Sequence, residues 1–354
     1  MTAFEPSGDA LGGMAVAGLL AEQPDLPVAA LGGASMATAG AEVLENTVDD
    51  AVMGIGAIAH AARIRRHVAA AENWMAEHSP SILVAVDSPA ANFHVCVAAR
   101  RHGMRIVHLA APQIWAWGGW RLGKLRRLTD HLLCLLPFEE QWFLTREIPA
   151  TFIGHPAMHV ADDQPAADLP ASGEPRLLLL PGSRRREIAV NLPLQLEVLE
   201  GLGGVAGAVA CRGDDAVQVA EITGGLPTVV DDLAGALRWA DCALCVSGTV
   251  TLHAAAAGVP MVGMYRASLL SRMGAPFLLR TKDRLLPNLI VHRRIVPEFV
   301  PCGHAAHTIS IAVSRLLEDS QAMDQQRRDL SEVRELYAGH DPAAEAAAII
   351  LRGN

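Results

Sequence analysis

The chain has 354 residues, of which 51% are hydrophobic and only 4% aromatic, and it carries a formal net charge of -9. That length exceeds one comfortable core and predicts two domains. The negative balance argues against broad nucleic-acid binding, which calls for clustered cations. No apolar run reaches the roughly 18 residues that span a bilayer. The first residues include Glu5 and Asp9 and lack a basic start followed by an apolar stretch, so no secretory signal is expected. Six cysteines, at 96, 134, 211, 242, 245 and 302, sit mostly in apolar runs as free thiols do. The one CxxC, Cys242 to Cys245, lies in a strand-like run without a second pair, so neither a metal site nor a cofactor is expected.

Short apolar runs alternate with longer helical stretches, the pattern of βαβ units around a parallel sheet. In chain order the first strands are expected at 27–31, 82–87, 104–110, 131–136 and 151–154. The stretch 158–175 is rich in Asp, Pro, Ala and Gly without periodicity and reads as a linker. A second series follows at 176–180, 205–211, 227–230, 242–246 and 260–265, and from about 303 the text reads as three helices with a polar break at 339–342. The expected fold is α/β, with two Rossmann-like doubly wound domains facing across a cleft. The expected boundaries are 1–157, linker 158–175, 176–318, and C-terminal helices 319–354 packing back toward the first domain.

Two turns stand where ligands sit in such sheets. Leu180-Pro181-Gly182-Ser183-Arg184 follows a strand and opens a helix at Arg185, so amides, a helix N-terminus and the Arg184 guanidinium together favour an anion such as phosphate. Ser247-Gly248-Thr249-Val250-Thr251-Leu252 repeats the arrangement after the strand ending at Val246. Each is also what a plain capped helix start requires. In the first domain Glu5-Pro6-Ser7-Gly8-Asp9 is the corresponding loop, although Ser-Gly-Asp is a common turn. Three of the six tryptophans, Trp115, Trp117 and Trp120, stand beside Arg121, Lys124, Arg126 and Arg127. Indoles next to cations suit a lipid headgroup interface, and equally an ordinary packed loop.

Read in order, these segments resemble lipid-A-disaccharide synthase. The resemblance rests on Glu5 with Ser7-Gly8-Asp9, Gly32-Gly33 with Met36, Val52-Met53-Gly54-Ile55, Asp87 with Pro89 and Asn92, Trp115-Ala116-Trp117, Leu136-Pro137-Phe138-Glu139 and Gly154-His155-Pro156. It continues with Leu180 to Arg184 and Glu187-Ile188, Ser247-Gly248-Thr249 with Thr251-Leu252, Gly258-Val259-Pro260-Met261-Val262, Leu286-Pro287-Asn288 and Val296-Pro297-Glu298. The resemblance implies the GT-B arrangement and a metal-independent, cofactor-free, inverting transfer. Diacylglucosamine would pass from UDP-diacylglucosamine to the 6-hydroxyl of diacylglucosamine 1-phosphate (lipid X). It further implies a cytoplasmic protein peripheral on the inner membrane and leaves room for a homodimer. Carried over residue by residue, Gly182, Ser183, Arg184, Ser247, Gly248, Thr249, Thr251, His253, Asn288 and Glu298 would serve the uridine diphosphate. Glu5, Ser7, Gly8, Asp9, Asn92, Trp115 and Trp117 would serve the lipid acceptor. Asp87 and Arg184 would carry the chemistry.

The chain departs from the family at several points. The second Asp of the family's Asp-x-Pro-Asp-Phe-Asn, its expected base, is Ala90 here, with Asp87 and His94 nearby. A Glu that suits ribose hydroxyls is His253, a Gln is Pro301, and the Gly before Glu5 is Phe4. Only Met1, Thr2 and Ala3 precede that loop where the family has a buried central strand, so the sequence predicts unpaired backbone groups in the middle of the first domain and a truncated or mis-started frame. Two other functions stay open: a degenerate homologue that binds nucleotide or lipid without turnover, and another UDP-GlcNAc enzyme such as an epimerase. A dehydrogenase is excluded, because no G-x-G-x-x-G turn is followed by an acidic residue roughly 20 positions on.

Overall fold

A computed structural model describes residues 1–48, 57–159, 167, 169, 175–266, 281–303 and 305–352; the segment 52–55 and most of the expected linker fall outside them. Two compact units emerge, Met1–Pro156 with Gly339–Asn354, and Ala157–Ala338.

The first unit runs α1 (Pro6–Glu22), β1 (Ala29–Gly32), α2 (Ala34–Thr38), β2 (Glu42–Asn46), α3 (Ala57–His78), β3 (Ile82–Val86), α4 (Pro89–Arg101), β4 (Arg105–Leu109), α5 (Leu122–Arg127), β5 (His131–Cys134), α6 (Pro137–Leu144) and β6 (Ala150–Phe152). Its central strands read as unbroken Val, Ile and Leu runs because helices cover both faces, and their side chains split into two cores. Strands β3 to β6 form one parallel ladder and β1 with β2 another.

Between the two ladders lies the segment expected to be missing. Thr2 bridges Leu31 on one side and Ala85 on the other, both in parallel sense. The Ala3 N–H donates to the Leu31 carbonyl at 2.8 Å, the Thr2 N–H to Val84 at 2.9 Å, and the Val86 N–H to Thr2 at 2.8 Å. Three residues thus supply the upper end of the expected strand, and the main-chain groups of Leu31, Val84 and Val86 that face them are paired, which corrects the expectation of unpaired backbone there. Below Thr2, β1 and β3 flank a cavity of about 570 Å³ lined by Val28, Ala30, Leu44, Met75, Ile82 and Met104, among others. With residues 1–3 counted as the first strand, the order across the unit is 3-2-1-4-5-6-7, the doubly wound pattern with its reversal between strands 1 and 4.

The second unit contains β7 (Arg176–Leu180), α7 (Arg185–Glu200), β8 (Ala206–Cys211), α8 (Ala216–Thr223), β9 (Thr228–Val230), α9 (Leu233–Trp239), β10 (Cys242–Val246), α10 (Val250–Ala256), β11 (Met261–Arg266), α11 (Leu286–Ile290), β12 (Glu298–Cys302), α12 (Ala306–Glu318) and α13 (Ser320–Glu335). All six strands pair in parallel in the order β12-β11-β10-β7-β8-β9, which is again 6-5-4-1-2-3. Pro301 is tolerated in β12 because that strand is at the sheet edge. Cys242 and Cys245 occupy positions i and i+3 of the fully buried β10, so their thiols point to opposite faces and cannot form one redox or metal site.

The C-terminal helices divide differently from the expectation of one block over 319–354. Helix α13 belongs with the second unit, where it packs on α10 and α12, and only α14 (Pro342–Leu351) joins the first, where it lies on α1. Gly18 of α1 permits that approach, since a side chain there would collide with the Ala343 carbonyl. No helix among the described residues is long and apolar enough to cross a membrane.

Candidate active site

In each unit the candidate residues gather where the strand order reverses. In the first, the loop after residues 1–3 and the turn after β3 emerge side by side, and the Ser7 hydroxyl lies 3.5 Å from the Asp87 carboxylate. Asp87 (φ 49°) and Ser88 (φ 38°) both adopt left-handed backbone, and Ala110, ending the neighbouring β4, does so too (φ 68°). Non-glycine residues avoid this region at a cost of about 1–3 kcal/mol each, and such strain concentrates at working sites. The Ser88 hydroxyl is buried without a hydrogen-bond partner among the described residues.

Asn92 holds the turn in that shape. It is fully buried; its amide donates to the Val86 carbonyl at 2.9 Å and the Asp87 carbonyl at 2.7 Å, while its oxygen accepts from the Thr2 hydroxyl at 2.6 Å. Asp9 has a similar duty. Its buried carboxylate accepts from the amides of Gly33 (2.7 Å), Ser35 (2.8 Å) and Met36 (3.4 Å) and so caps α2. Both were expected to meet the acceptor; the structure makes them scaffold, because their polar atoms are spent inside the unit. Glu5, Ser7 and Asp87 keep solvent access, and Gly8 is buried beneath them. Ala90 and His94, one helical turn apart on α4, are exposed.

The tryptophan loop follows β4 and the Leu136-Pro137 turn follows the adjacent β5, so both rise from the same sheet edge. Trp115 turns inward: its indole N–H donates to Glu139 at 2.9 Å and its ring meets Phe138 edge-on at 4.9 Å. Trp117 and Trp120 turn outward, 41% and 74% exposed, and the Arg121 guanidinium covers the Trp117 ring at 4.1 Å. The sequence signalled a role for the indoles and none for Glu139, which entered only as part of the resemblance; it is a carboxyl 2% exposed that burial pushes up to about 7, against the pull of its bonds from Trp115, Leu136 and Leu135.

In the second unit Leu180 and Cys245 are register partners, so the turns after β7 and β10 stand side by side on one edge. Gly182 takes φ 115°, a conformation open to glycine, and a Cβ there would lie 2.9 Å from that of Glu187. The Glu187 carboxylate accepts from the Ser183 amide at 3.3 Å and from Arg184 at 3.1 Å, which shapes the turn while leaving the Arg184 side chain 61% exposed. Gly248 and Thr249 are exposed and Ser247 and His253 half-buried; burial holds the His253 imidazole below the ordinary histidine range, so it is neutral near pH 7.

Three expected donor residues prove to be supports. Thr251 is buried and its hydroxyl donates to the Gly248 carbonyl at 2.7 Å. Asn288, also buried, donates to the Val296 carbonyl (2.9 Å) and Glu298 (3.1 Å) and accepts from the amides of Ile295 and Val296 (both 2.8 Å). Glu298 accepts in addition from the amides of Arg284 and Leu285. Asn288 and Glu298 thereby pin a loop whose Arg284 carbonyl lies 3.5 Å from the Ser247 hydroxyl.

Comparison with known proteins gives the family and the fold. The family described as lipid-A-disaccharide synthetase matches residues 1–203 and 222–350. The lipid-A-disaccharide synthase of Solibacter usitatus is 31% identical, covering 99% of this chain and 96% of that protein. The Gluconobacter oxydans enzyme is 32% identical over 99% of this chain and 89% of its own. Among solved structures, the glycosyltransferase of kitacinnamycin aligns with TM-score 0.66 at 18% identity, covering 99% of this chain and 97% of that one. The UDP-N-acetylglucosamine 2-epimerase from Neisseria meningitidis bound to UDP-GlcNAc aligns with TM-score 0.64 at 10% identity, covering 99% and 98%. The fold is GT-B, and the chain belongs to the lipid-A-disaccharide synthase family of glycosyltransferases.

Proposed function

We propose that this chain forms the β-1,6-linked lipid A disaccharide 1-phosphate and UDP from UDP-2,3-diacylglucosamine and lipid X, with inversion and without a metal. The observation that carries the residue assignment is the repeated placement of polar residues at the strand-order reversal of both units. In the second unit Gly182, Ser183, Arg184, Ser247, Gly248, Thr249 and His253 receive the uridine diphosphate. In the first, Glu5, Ser7, Gly8 and Trp117 receive the acceptor, and Trp115, turned inward onto Glu139, supports the loop that carries Trp117. The acceptor 6-oxygen attacks the anomeric carbon as the bond to UDP breaks, and the leaving electron pair settles on the β-phosphate beside the Arg184 guanidinium. Asp87, held by Asn92 in its strained turn, takes the hydroxyl proton.

The exposed Trp117 and Trp120 beside Arg121 and Lys124 support a peripheral seat on the cytoplasmic face of the inner membrane, with each indole body among the acyl chains and the cations at the headgroups. A homodimer fits the same reading. The test is turnover: purified protein given both lipid substrates forms disaccharide 1-phosphate and UDP, and a protein that forms neither defeats the assignment.

A second reading, nucleotide binding without turnover, is favoured by Ala90, His253 and Pro301. Calorimetric UDP binding in a protein that turns over only after Ala90→Asp supports it. UDP release that requires the lipid acceptor excludes an epimerase.

A further inference from the structure

The Trp115 to Glu139 bond is, among the described residues, the one hydrogen bond by which segment 111–120 reaches another element of the fold. The other bonds of this segment close within the loop itself, from Ile114 to the Pro112 carbonyl, from Ala116 and Trp117 to the Gln113 carbonyl and from Arg121 to the carbonyls of Trp117 and Gly118. Glu139 occupies the third position of α6, where its second oxygen accepts from the Leu136 amide at 3.1 Å. One buried carboxylate thus joins a helix start to a loop whose neighbouring indoles, Trp117 and Trp120, are exposed.

We propose that Glu139 is a positioning residue: by accepting the Trp115 indole N–H while capping α6, it fixes the loop so that Trp117 and Trp120 face the acyl-bearing acceptor. This rests on the transferase reading for its substrate and on the two hydrogen bonds for its mechanism. Both bonds need an acceptor, and only a carboxylate offers two oxygens without a donor; glutamine sets an N–H against one of them. The surroundings leave this choice to Glu139 alone. The Cys134 thiol on β5 is pushed far above its ordinary range, by burial first and then by Glu139 and Glu140, and stays neutral. Glu140 turns to the Phe152 amide at 2.9 Å, and no described ion pair involves Glu139. Since burial places its titration near pH 7, the latch is complete above neutrality and loosens below it.

The test compares Glu139→Gln, Trp115→Phe and the double variant. The expected result is an acceptor KM raised about tenfold in each single variant, the size of one lost hydrogen bond to a charged group. Donor KM should hold, kcat should change less than about twofold, and the double variant should add no further loss. In the unaltered protein the acceptor KM rises as pH falls below 7, and Glu139→Gln flattens that rise. A fall in kcat at unchanged acceptor KM, or additive losses in the double variant, overturns the proposal. If the unaltered protein does not turn over, the transferase reading fails on its own. The latch is then judged by the Trp115 indole N–H resonance, which must titrate near pH 7 and cease to do so in Glu139→Gln; a resonance indifferent to pH overturns it.

Discussion

The two units share one strand order and differ in how it is held together. In the second, six strands pair without interruption, and the site is made from turns that glycine adopts freely, at Gly182 and Gly248. In the first, the two ladders are hydrogen-bonded to one another, among the described residues, only through residues 1–3, and the site is made from Asp87 and Ser88 held in left-handed backbone by a buried amide. The same topology can therefore present a ligand site either by ordinary loop chemistry or by stored strain; the second way makes catalysis and local stability depend on the same few bonds.

Substitutions probe this contrast. Asp87→Asn is expected to have the largest effect, lowering kcat about a hundred- to ten-thousandfold in an acceptor-dependent UDP-release assay; an unchanged rate moves the base from this turn onto α4, with exposed His94 the first alternative. Arg184→Ala follows, at about a hundred- to a thousandfold in kcat together with weaker calorimetric UDP binding. Loss of neither would mean that the turn after β7 is only a helix cap.

Asn92→Ala and Asn288→Ala form a matched pair, each leaving buried main-chain groups without partners at about 3 kcal/mol. Five of the six tryptophans lie in the first unit, so denaturant unfolding followed by indole emission separates the two. Asn92→Ala should shift that transition and Asn288→Ala should leave it in place. Equal shifts would mean that the units unfold as one.

Glu139 gives a pH effect of up to about 3 kcal/mol. The unfolded chain releases this proton near 4.5 and the folded one near 7, so the stabilisation is whole below 4.5 and is lost as pH rises to 7, at about 1.4 kcal/mol per pH unit. In Glu139→Gln this fall should be absent from the same unfolding curves.

Much of this architecture was legible beforehand because buried parallel strands are written as apolar runs: β10 coincides with its expectation, and both anion-favouring turns sit on one sheet edge. Three strands escaped notice for physical reasons. Residues 1–3 are too few to show any pattern, β2 carries Glu42 and Glu45, and β12 carries Pro301 at the sheet edge. Residue type also fails to say which way a side chain faces. Asp9, Asn92, Thr251, Asn288 and Glu298 have the chemistry of ligand contacts, yet each satisfies main-chain groups of its own unit. Glu139 was visible as a letter and its burial was not, since burial depends on what β5 and the tryptophan loop bring against it.

The cavity below Thr2 gives the first unit a seam. Where neighbouring strands elsewhere pair directly along three to five residues, β1 and β3 are joined, among the described residues, through residues 1–3, and that junction lies beside Ser7 and Asp87. Opening there breaks five main-chain hydrogen bonds and uncovers Ala3, Leu31, Val84 and Val86, all of them buried. The shape of the reactive turn and the continuity of the sheet therefore rest on the same three residues.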